Sequence, residues 1–375
     1  MTRVNIPLKC EGKRKLYINS DRFQILKEEL EQFLDGEKYM NSSEFSKKVL
    51  LSHEIQSNNI VEGYGDDVEI VKDVINNNQS IKDTKKRQRI LNLYYGYKYI
   101  LEKKEINQEH LKELYNILST DLLSSYDLDH MGKYYRQDDV YIYFSNRLDS
   151  KCDMGLNPNE IKKYMDEFFN YINSNNNFKT PTDYYIKSQI MHYYMVYIHP
   201  YYDINGRTGR TTSMWYLLNN EVYPYVIFNR AIQLEKNKYY LVIRDVKKYG
   251  NISYFINFMM ENVKVELEKE YIMHGIASSI SSKLTSLDYQ TLHYILSMKG
   301  IKTVNDFASL YNRINDKRKL LDIYKSMIIP LLEKDVIKHV RNTNGKIDGQ
   351  NSNFVFELNK NKIDNNPNKI KKLKL

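Results

Sequence analysis

Twelve consecutive residues, HPYYDINGRTGR at positions 199–210, bring together an imidazole, a carboxylate, an amide, two glycines and two guanidinium groups. Each has a use beside phosphate. An imidazole titrates near neutrality, so His199 can take the proton of an attacking hydroxyl. Asp203 is a hard oxygen ligand of the kind that shares Mg²⁺ with substrate phosphates. Asn205, Gly206 and Gly209 let backbone N–H groups approach an anion closely, and Arg207 and Arg210 add two permanent positive charges. Together they describe transfer of a phosphate-containing group to an alcohol of a second substrate, driven mainly by positioning and charge stabilisation. Plainer readings exist for each part. A His-Pro pair is a common helix ending, an NGR stretch is a common turn, and paired arginines often solvate a surface. His192, His199 and Asp203 also suggest zinc, but a fourth ligand at metal spacing is missing.

Flanking patterns place this segment in a loop between two helices. Upstream, Thr180, Pro181 and Asp183 form a helix start signal, and Ile186, Ile190, Tyr193, Tyr194 and Tyr197 give the helix an apolar stripe that ends at His199-Pro200. Downstream, RTTSMWYLLNNE is again helical, so the glycines lead into a helix N-terminus and the positive end of its dipole. Helical periodicity also marks residues 20–35, 44–61, 68–78, 84–104, 107–123, 158–173, 235–248 and 252–272. Residues 131–146, MGKYYRQDDVYIYFSN, break that pattern: Val140, Ile142 and Phe144 alternate with tyrosines, which predicts a short β-hairpin. Past a serine-rich stretch, ASSISSK, residues 286–358 read as three helices followed by a strand, a turn and a strand, the order of a winged helix-turn-helix. The fold class expected is mainly helical with one hairpin, plus this C-terminal domain.

Composition bounds the remaining possibilities. The chain has 375 residues, 42% hydrophobic and 27% charged, enough for two or three compact domains. No apolar run is long enough for a membrane span, and the N-terminus lacks the apolar core of a secretion signal. Cys10 and Cys152 offer neither a disulfide framework nor a CxxC motif, which fits a reducing cytosol and no membrane partner. The formal charge is +9, yet residues 359–375 alone carry six lysines against one aspartate. The basic excess therefore lies largely in the tail.

The loop resembles the signature of the Fic family, H-x-F-x-[D/E]-G-N-G-R-x-x-R. His199, Asp203, Asn205, Gly206, Arg207 and Arg210 match; Tyr201 stands at the Phe position and Ile204 at the first glycine. Tyr201 keeps an aromatic anchor. Ile204 is β-branched, which disfavours positive φ, so a negative φ with the N–H still turned into the anion hole is expected there. GKYYRQDDVYI, residues 132–142, is similar to the family's flap, with Arg136, Val140, Tyr141 and Ile142 in the stretch that docks a target segment by strand addition. NKYYLVIRDVKKYGNISYFINFMM, residues 237–260, is similar to the helices beyond the signature, with Tyr239 or Tyr240 near the nucleotide or else in the core. SNNIVEGYG, residues 57–65, resembles the inhibitory motif [S/T]-x-x-x-E-[G/N]: Glu62 and Gly63 match, and Asn58 replaces the Ser or Thr. The resemblance spans roughly residues 40–270.

It implies a protein adenylyltransferase that moves AMP from ATP to a Ser, Thr or Tyr hydroxyl of a target protein, with ATP as substrate and Mg²⁺ held by Asp203. His199 is the implied base. Asn205 and the amides of residues 204–206 form the anion hole, with Gly209 beside it. Arg207 holds the β-phosphate, and Arg210 holds the γ-phosphate or, at rest, Glu62. Self-modification and homodimerisation are compatible with it. Phosphate or UMP transfer stays open because of Ile204, as does a DNA-binding regulator built on Arg318, Lys319, Lys325, Lys338, Arg341 and Lys346 with a nucleotide-sensing core. The implied organisation is an N-terminal helical region over 1–110 carrying the inhibitory motif, a catalytic core over 111–275, a winged-helix-like domain over 286–358 and a basic tail over 359–375.

Overall fold

The structure, a computed structural model, describes residues 3–10, 14–19, 27–31, 44–76, 82–143, 152–174, 179–222, 228–299, 302–340 and 355–362. Strands β1 (Arg3–Lys9) and β2 (Lys15–Asn19) are followed by helices α1 (Glu44–Val61), α2 (Val68–Ile75), α3 (Thr84–Glu102), α4 (Gln108–Ser119) and α5 (Ser125–His130). A hairpin of β3 (Tyr141–Tyr143) and β4 (Cys152–Met154) precedes α6 (Pro158–Asn173), α7 (Pro181–Ile198), α8 (Asn205–Asn219), α9 (Arg230–Gln233), α10 (Lys236–Tyr249) and α11 (Ser253–Ser279). The chain divides into two compact units, residues 1–44 with 74–264 and residues 45–73 with 265–375.

The first unit is built around α7 and α8. Helix α7 starts with the capping box its sequence announces: Thr180 Oγ1 accepts the Asp183 N–H, and the Asp183 carboxylate accepts the Thr180 N–H, both at 3.2 Å. Asn107 and Asn157 cap α4 and α6 by accepting from His110 and Asn159. Ile190, Met191, Tyr193, Tyr194, Met195 and Ile198 of α7 are all buried, as are Met214, Trp215 and Leu217 of α8. At Gly209 the two helices pack in ordinary contact, since a Cβ there would lie 3.4 Å from Met195 Cγ. Ser213 Oγ donates to the Ser188 carbonyl at 3.0 Å, and Trp215 Nε1 donates to the Lys103 carbonyl at 2.6 Å, tying α8 to α7 and to the end of α3.

Several local expectations differ from what the chain does. The N-terminal region opens with the β1–β2 hairpin, in which Ile6, Leu8 and Leu16 turn inward, and Tyr17 exchanges backbone hydrogen bonds with Gly250 and Ile252. This pairing and the contact of β1 with α6, where Lys9 meets Glu167, give the short hairpin its partner surfaces. The helix expected over 20–35 falls largely outside the described residues, of which 27–31 are helical. The hairpin expected over 131–146 is displaced. Residues 131–136 form a turn closed by a bridge between Met131 and Arg136, and the strands pair Tyr141 with Met154 and Tyr143 with Cys152. Val140 stops short of β3, its carbonyl accepting the Gly155 N–H at 2.9 Å. Helix α11 runs into the serine-rich stretch and ends at Ser279.

The second unit has the helices and terminal strands expected of residues 286–358: α12 (Ser286–Ser297), β5 (Lys302–Thr303), α13 (Val304–Ile314), then α14 (Leu320–Ile323) continuing through a π-turn into α15 (Ile329–Glu333). Strands β6 (Ile337–His339) and β7 (Val355–Leu358) complete an antiparallel sheet of order β5-β7-β6. Leu292, Ile295, Phe307, Ile323, Met327, Leu331 and Phe356 form its core. Residues 45–73, expected to belong to the N-terminal region, group with this unit. A buried polar seam explains the grouping. Gln56 Nε2 donates to the Asp66 carbonyl and to Asn315 Oδ1, Tyr311 OH donates to Asp67 at 2.5 Å, and the Asp316 N–H donates to the Gly65 carbonyl at 2.7 Å. A Cβ on Gly65 would lie 2.8 Å from the Asn315 backbone, so only glycine allows this approach.

Candidate functional site

The loop between α7 and α8 is shaped by two left-handed residues, neither of them glycine. His199, the C-cap of α7, has φ 52° and ψ 59°, and its N–H still donates to the Met195 carbonyl at 3.1 Å. Ile204, the N-cap of α8, has φ 65° and ψ 8°. This corrects the negative φ expected for Ile204. A β-branched residue pays roughly 1–2 kcal/mol in that region, and it persists only when its surroundings over-determine it. They do so here: the side chain is 2% exposed, the N–H donates to Asp203 Oδ1 at 2.6 Å, and the carbonyl accepts from both the N–H and the hydroxyl of Thr208.

Asn205 staples the intervening turn. Its Nδ2 donates to the Tyr201 carbonyl at 2.8 Å, and its Oδ1 accepts the Tyr201 N–H at 3.0 Å. The side chain expected at the anion hole thus shapes the loop instead. The N–H groups of Asn205, Gly206 and Arg207 precede the first intrahelical bond, Thr208 N–H to Ile204 carbonyl at 2.9 Å, as those of any helix start do. Tyr201 is the aromatic anchor expected, stacked on Tyr115 of α4 with ring centroids 3.6 Å apart. Arg207 and Arg210 are both buried, at the first and second turns of α8.

His199 is half-buried, and its Nδ1 lies 3.4 Å from the Val196 carbonyl oxygen. That oxygen can only accept, so the contact favours the tautomer with the proton on Nδ1 and the lone pair on Nε2. Asp203 is exposed one turn away. Mg²⁺ often takes one or two protein carboxylates and completes its shell with water and substrate phosphates, so Asp203 fits that ion. The zinc alternative does not fit. His192 is fully buried on α7, its Nε2 is 2.9 Å from Tyr239 OH, and among the described residues no cluster of three His, Cys, Asp or Glu side chains forms. Burial, reinforced by the Arg210 charge, drives the His192 pKa well below the usual 6.5.

The remaining candidates separate in the same way. Tyr239 packs in the core, ringed by His192, Phe255 and Tyr240, whereas Tyr240 is half-buried and retains a face toward solvent. Tyr141 is 62% exposed on β3, and Ile142 is half-buried. Arg136, expected on the docking flap, turns inward and is 2% exposed. Tyr202, unlike Arg136, carried no expectation from the sequence: its hydroxyl is 2.8 Å from Asp138 Oδ2 and accepts the Gln137 and Asp138 N–H groups, fastening the loop to the strand approach. A tyrosine among 34 gives no sequence signal for such a role.

In the second unit, Glu62 and Gly63 form the turn that ends α1. Gly63 has φ 94°, its N–H donates to the Ile60 carbonyl, and the Tyr64 N–H donates to the Asn59 carbonyl, a glycine-terminated helix end. Asn58 is fully buried one turn earlier, its carbonyl accepting the Glu62 N–H at 3.4 Å. Arg318, proposed for DNA, pairs with Asp67 and exchanges backbone hydrogen bonds with the Asn312 side chain. Lys319, Lys325 and Lys338 are exposed, and Arg341 and Lys346 lie outside the described residues.

Residues 105–217 match the Fic/DOC family model, a span that begins just before α4 and closes within α8. Among solved structures, the chain is similar to a Fic family protein from Desulfovibrio desulfuricans G20, at 17% identity over 91% of this chain and 96% of that one, with a TM-score of 0.59. It is similar also to a fragment of Fic-1 from C. elegans, at 13% identity over 68% of this chain and 72% of that one, with a TM-score of 0.50. At these identities the likeness is one of fold.

Proposed function

We infer the function from a family premise: this chain carries a Fic/DOC-family domain at residues 105–217, and domains of that family generally transfer phosphate-containing groups to proteins. Our reading is that the group is AMP, the donor ATP and the acceptor a Ser, Thr or Tyr hydroxyl of a target protein. The hydroxyl oxygen attacks the α-phosphorus, a new P–O bond forms, the bond to the β-phosphate oxygen breaks, and pyrophosphate leaves. His199 Nε2 takes the hydroxyl proton. Charge on the phosphates meets the α8 N-terminus and the guanidinium groups of Arg207 and Arg210. Asp203 would hold Mg²⁺, which supplies charge neutralisation at the phosphates when bound. The carrying observation is the placement of His199 at the C-cap of α7, with its Nδ1 toward Val196, across a five-residue turn from the α8 N-terminus.

Glu62 supplies the restraint in this reading. An inhibitory carboxylate offsets the positive charge meant for the γ-phosphate, so ATP binds without its α-phosphate in line for attack. The test uses ATP labelled at either the α- or the γ-phosphate, with wild type and Glu62→Gly. Label from the α-position, stronger in Glu62→Gly, is expected. Label from the γ-position alone would replace AMP transfer by phosphate transfer, and equal labelling of both proteins would remove Glu62 as inhibitor.

A second reading concerns the 286–358 region, whose helix order, three-stranded sheet and exposed Lys319, Lys325 and Lys338 suit a winged helix on DNA. Binding of a fluorescent duplex that weakens steeply between 50 and 200 mM salt, by about tenfold or more, is its signature. Salt-insensitive or undetectable binding ends it.

A further inference from the structure

We propose that Arg136 is a positioning residue that locks the His199 backbone and ties it to the docking hairpin. The inference rests on the reading of His199 as the base. The guanidinium reaches three carbonyls from three segments. Nε donates to His199 at 2.8 Å, and the two terminal nitrogens donate to Asp138 and Leu156 at 2.5 Å each. The Arg136 N–H also donates to the Pro200 carbonyl at 2.9 Å. Asp138 lies on the approach to β3, and Leu156 just beyond β4, so one planar fork holds both stems of the hairpin and the base at a fixed spacing.

The His199 contact is directional in its consequences. Left-handed φ and ψ at a histidine are unfavourable by themselves, and the rotation that would relieve them turns the His199 carbonyl away from Arg136. Holding the carbonyl holds the dihedrals, and the dihedrals set where the imidazole stands relative to a hydroxyl brought in along β3. The space for the fork is equally specific. A Cβ on Gly155 would sit 2.8 Å from an Arg136 terminal nitrogen and 2.8 Å from Val140 Cγ2. Gly155 therefore clears the seat that the guanidinium occupies. Arg207 and Arg210 stand on α8, whereas Arg136 lies outside any helix, so nucleotide charge is met independently of this fork.

A positioning role predicts a split that a purely structural role does not. Arg136→Gln, Arg136→Lys and Gly155→Ala are to be compared with wild type and His199→Ala, each also in a Glu62→Gly background. Three quantities are measured: transfer from α- and γ-labelled ATP per nucleotide-binding site, the Kd for ATP, and the unfolding temperature. Arg136→Gln is expected to lower kcat per site by a hundredfold or more, with the ATP Kd within threefold of wild type. Arg136→Lys, which keeps one charged donor, regains part of the loss. Gly155→Ala, which leaves Arg136 in place but crowds its seat, lowers kcat about tenfold with the same unchanged Kd, and it answers the question should Arg136→Gln fail to fold. Transfer surviving in His199→Ala sinks the base reading itself. Loss in His199→Ala together with kcat within twofold of wild type in Gly155→Ala or Arg136→Gln overturns the role of Arg136, as does activity that falls only in step with the number of nucleotide-binding sites.

Discussion

The two ends of the loop solve the same conformational problem by different means. Ile204 is held left-handed by its immediate neighbours, Asp203, Asn205 and Thr208, and by burial of its own side chain. His199 is held by a guanidinium 63 residues away in sequence. In the proposed reading, the phosphate end of the loop is thus set locally with the fold of α8, while the base end depends on the hairpin being in place. A base fastened to the docking element, and a phosphate cradle that is not, would let target docking affect the chemistry without disturbing nucleotide affinity.

Removing the local staple should give the largest change. Asn205→Ala leaves a buried N–H and a buried carbonyl of Tyr201 without their partner, at about 1–3 kcal/mol each. Unfolding in urea should show a loss of that size, with ATP affinity falling alongside. A loss under 0.5 kcal/mol by the same measurement, about the scatter of a neutral surface substitution, would mean the turn is held elsewhere.

Ile204 sharpens the contrast in a way that inverts a common rule. Glycine is normally about 1 kcal/mol worse than alanine inside regular structure, yet at φ 65° alanine keeps the strain and glycine removes it. Both Ile204→Ala and Ile204→Gly should be less stable than wild type by about 2–4 kcal/mol from lost burial. Ile204→Gly should nonetheless be the more stable of the two by about 1 kcal/mol in chemical denaturation. The opposite order would show that the left-handed backbone is not the source of strain.

The smallest effect concerns His192, beneath Gly209 and Arg210 with Tyr239 on its Nε2. Its folded pKa lies well below the usual 6.5, so below about 6.5 the unfolded chain binds a proton that the folded chain refuses. Stability should therefore decline as pH falls from about 6.5, and His192→Gln should show a shallower decline in thermal melts at successive pH values. An identical decline in the two proteins would assign the acid sensitivity to other groups.

What the sequence made legible follows the same division. Thr180, Pro181 and Asp183 specify a helix start with bonds no longer than three residues, and that start forms where the pattern places it. The loop's residue types and Tyr201 as anchor were equally readable, since spacing within one segment carries them. Arg136 was readable as part of a flap but not as a buried clamp, because its three acceptors come from residues 138, 156 and 199. Ile204 misled for a related reason: its propensity argued for negative φ, and burial with three hydrogen bonds to its backbone overrode that propensity. The grouping of residues 45–73 with the C-terminal unit rests on partners such as Asn315 and Tyr311, some 250 residues distant, which local pattern does not reveal.

The most direct test of the account is ATP binding and transfer measured on the same preparation of His199→Ala. A base at the end of α7 that takes no part in holding phosphate predicts an ATP Kd within twofold of wild type and a transfer rate lower by about 10²–10⁴. Transfer that persists, or ATP affinity lost together with it, would contradict the division of the loop into a base held by the hairpin and a cradle held by α8.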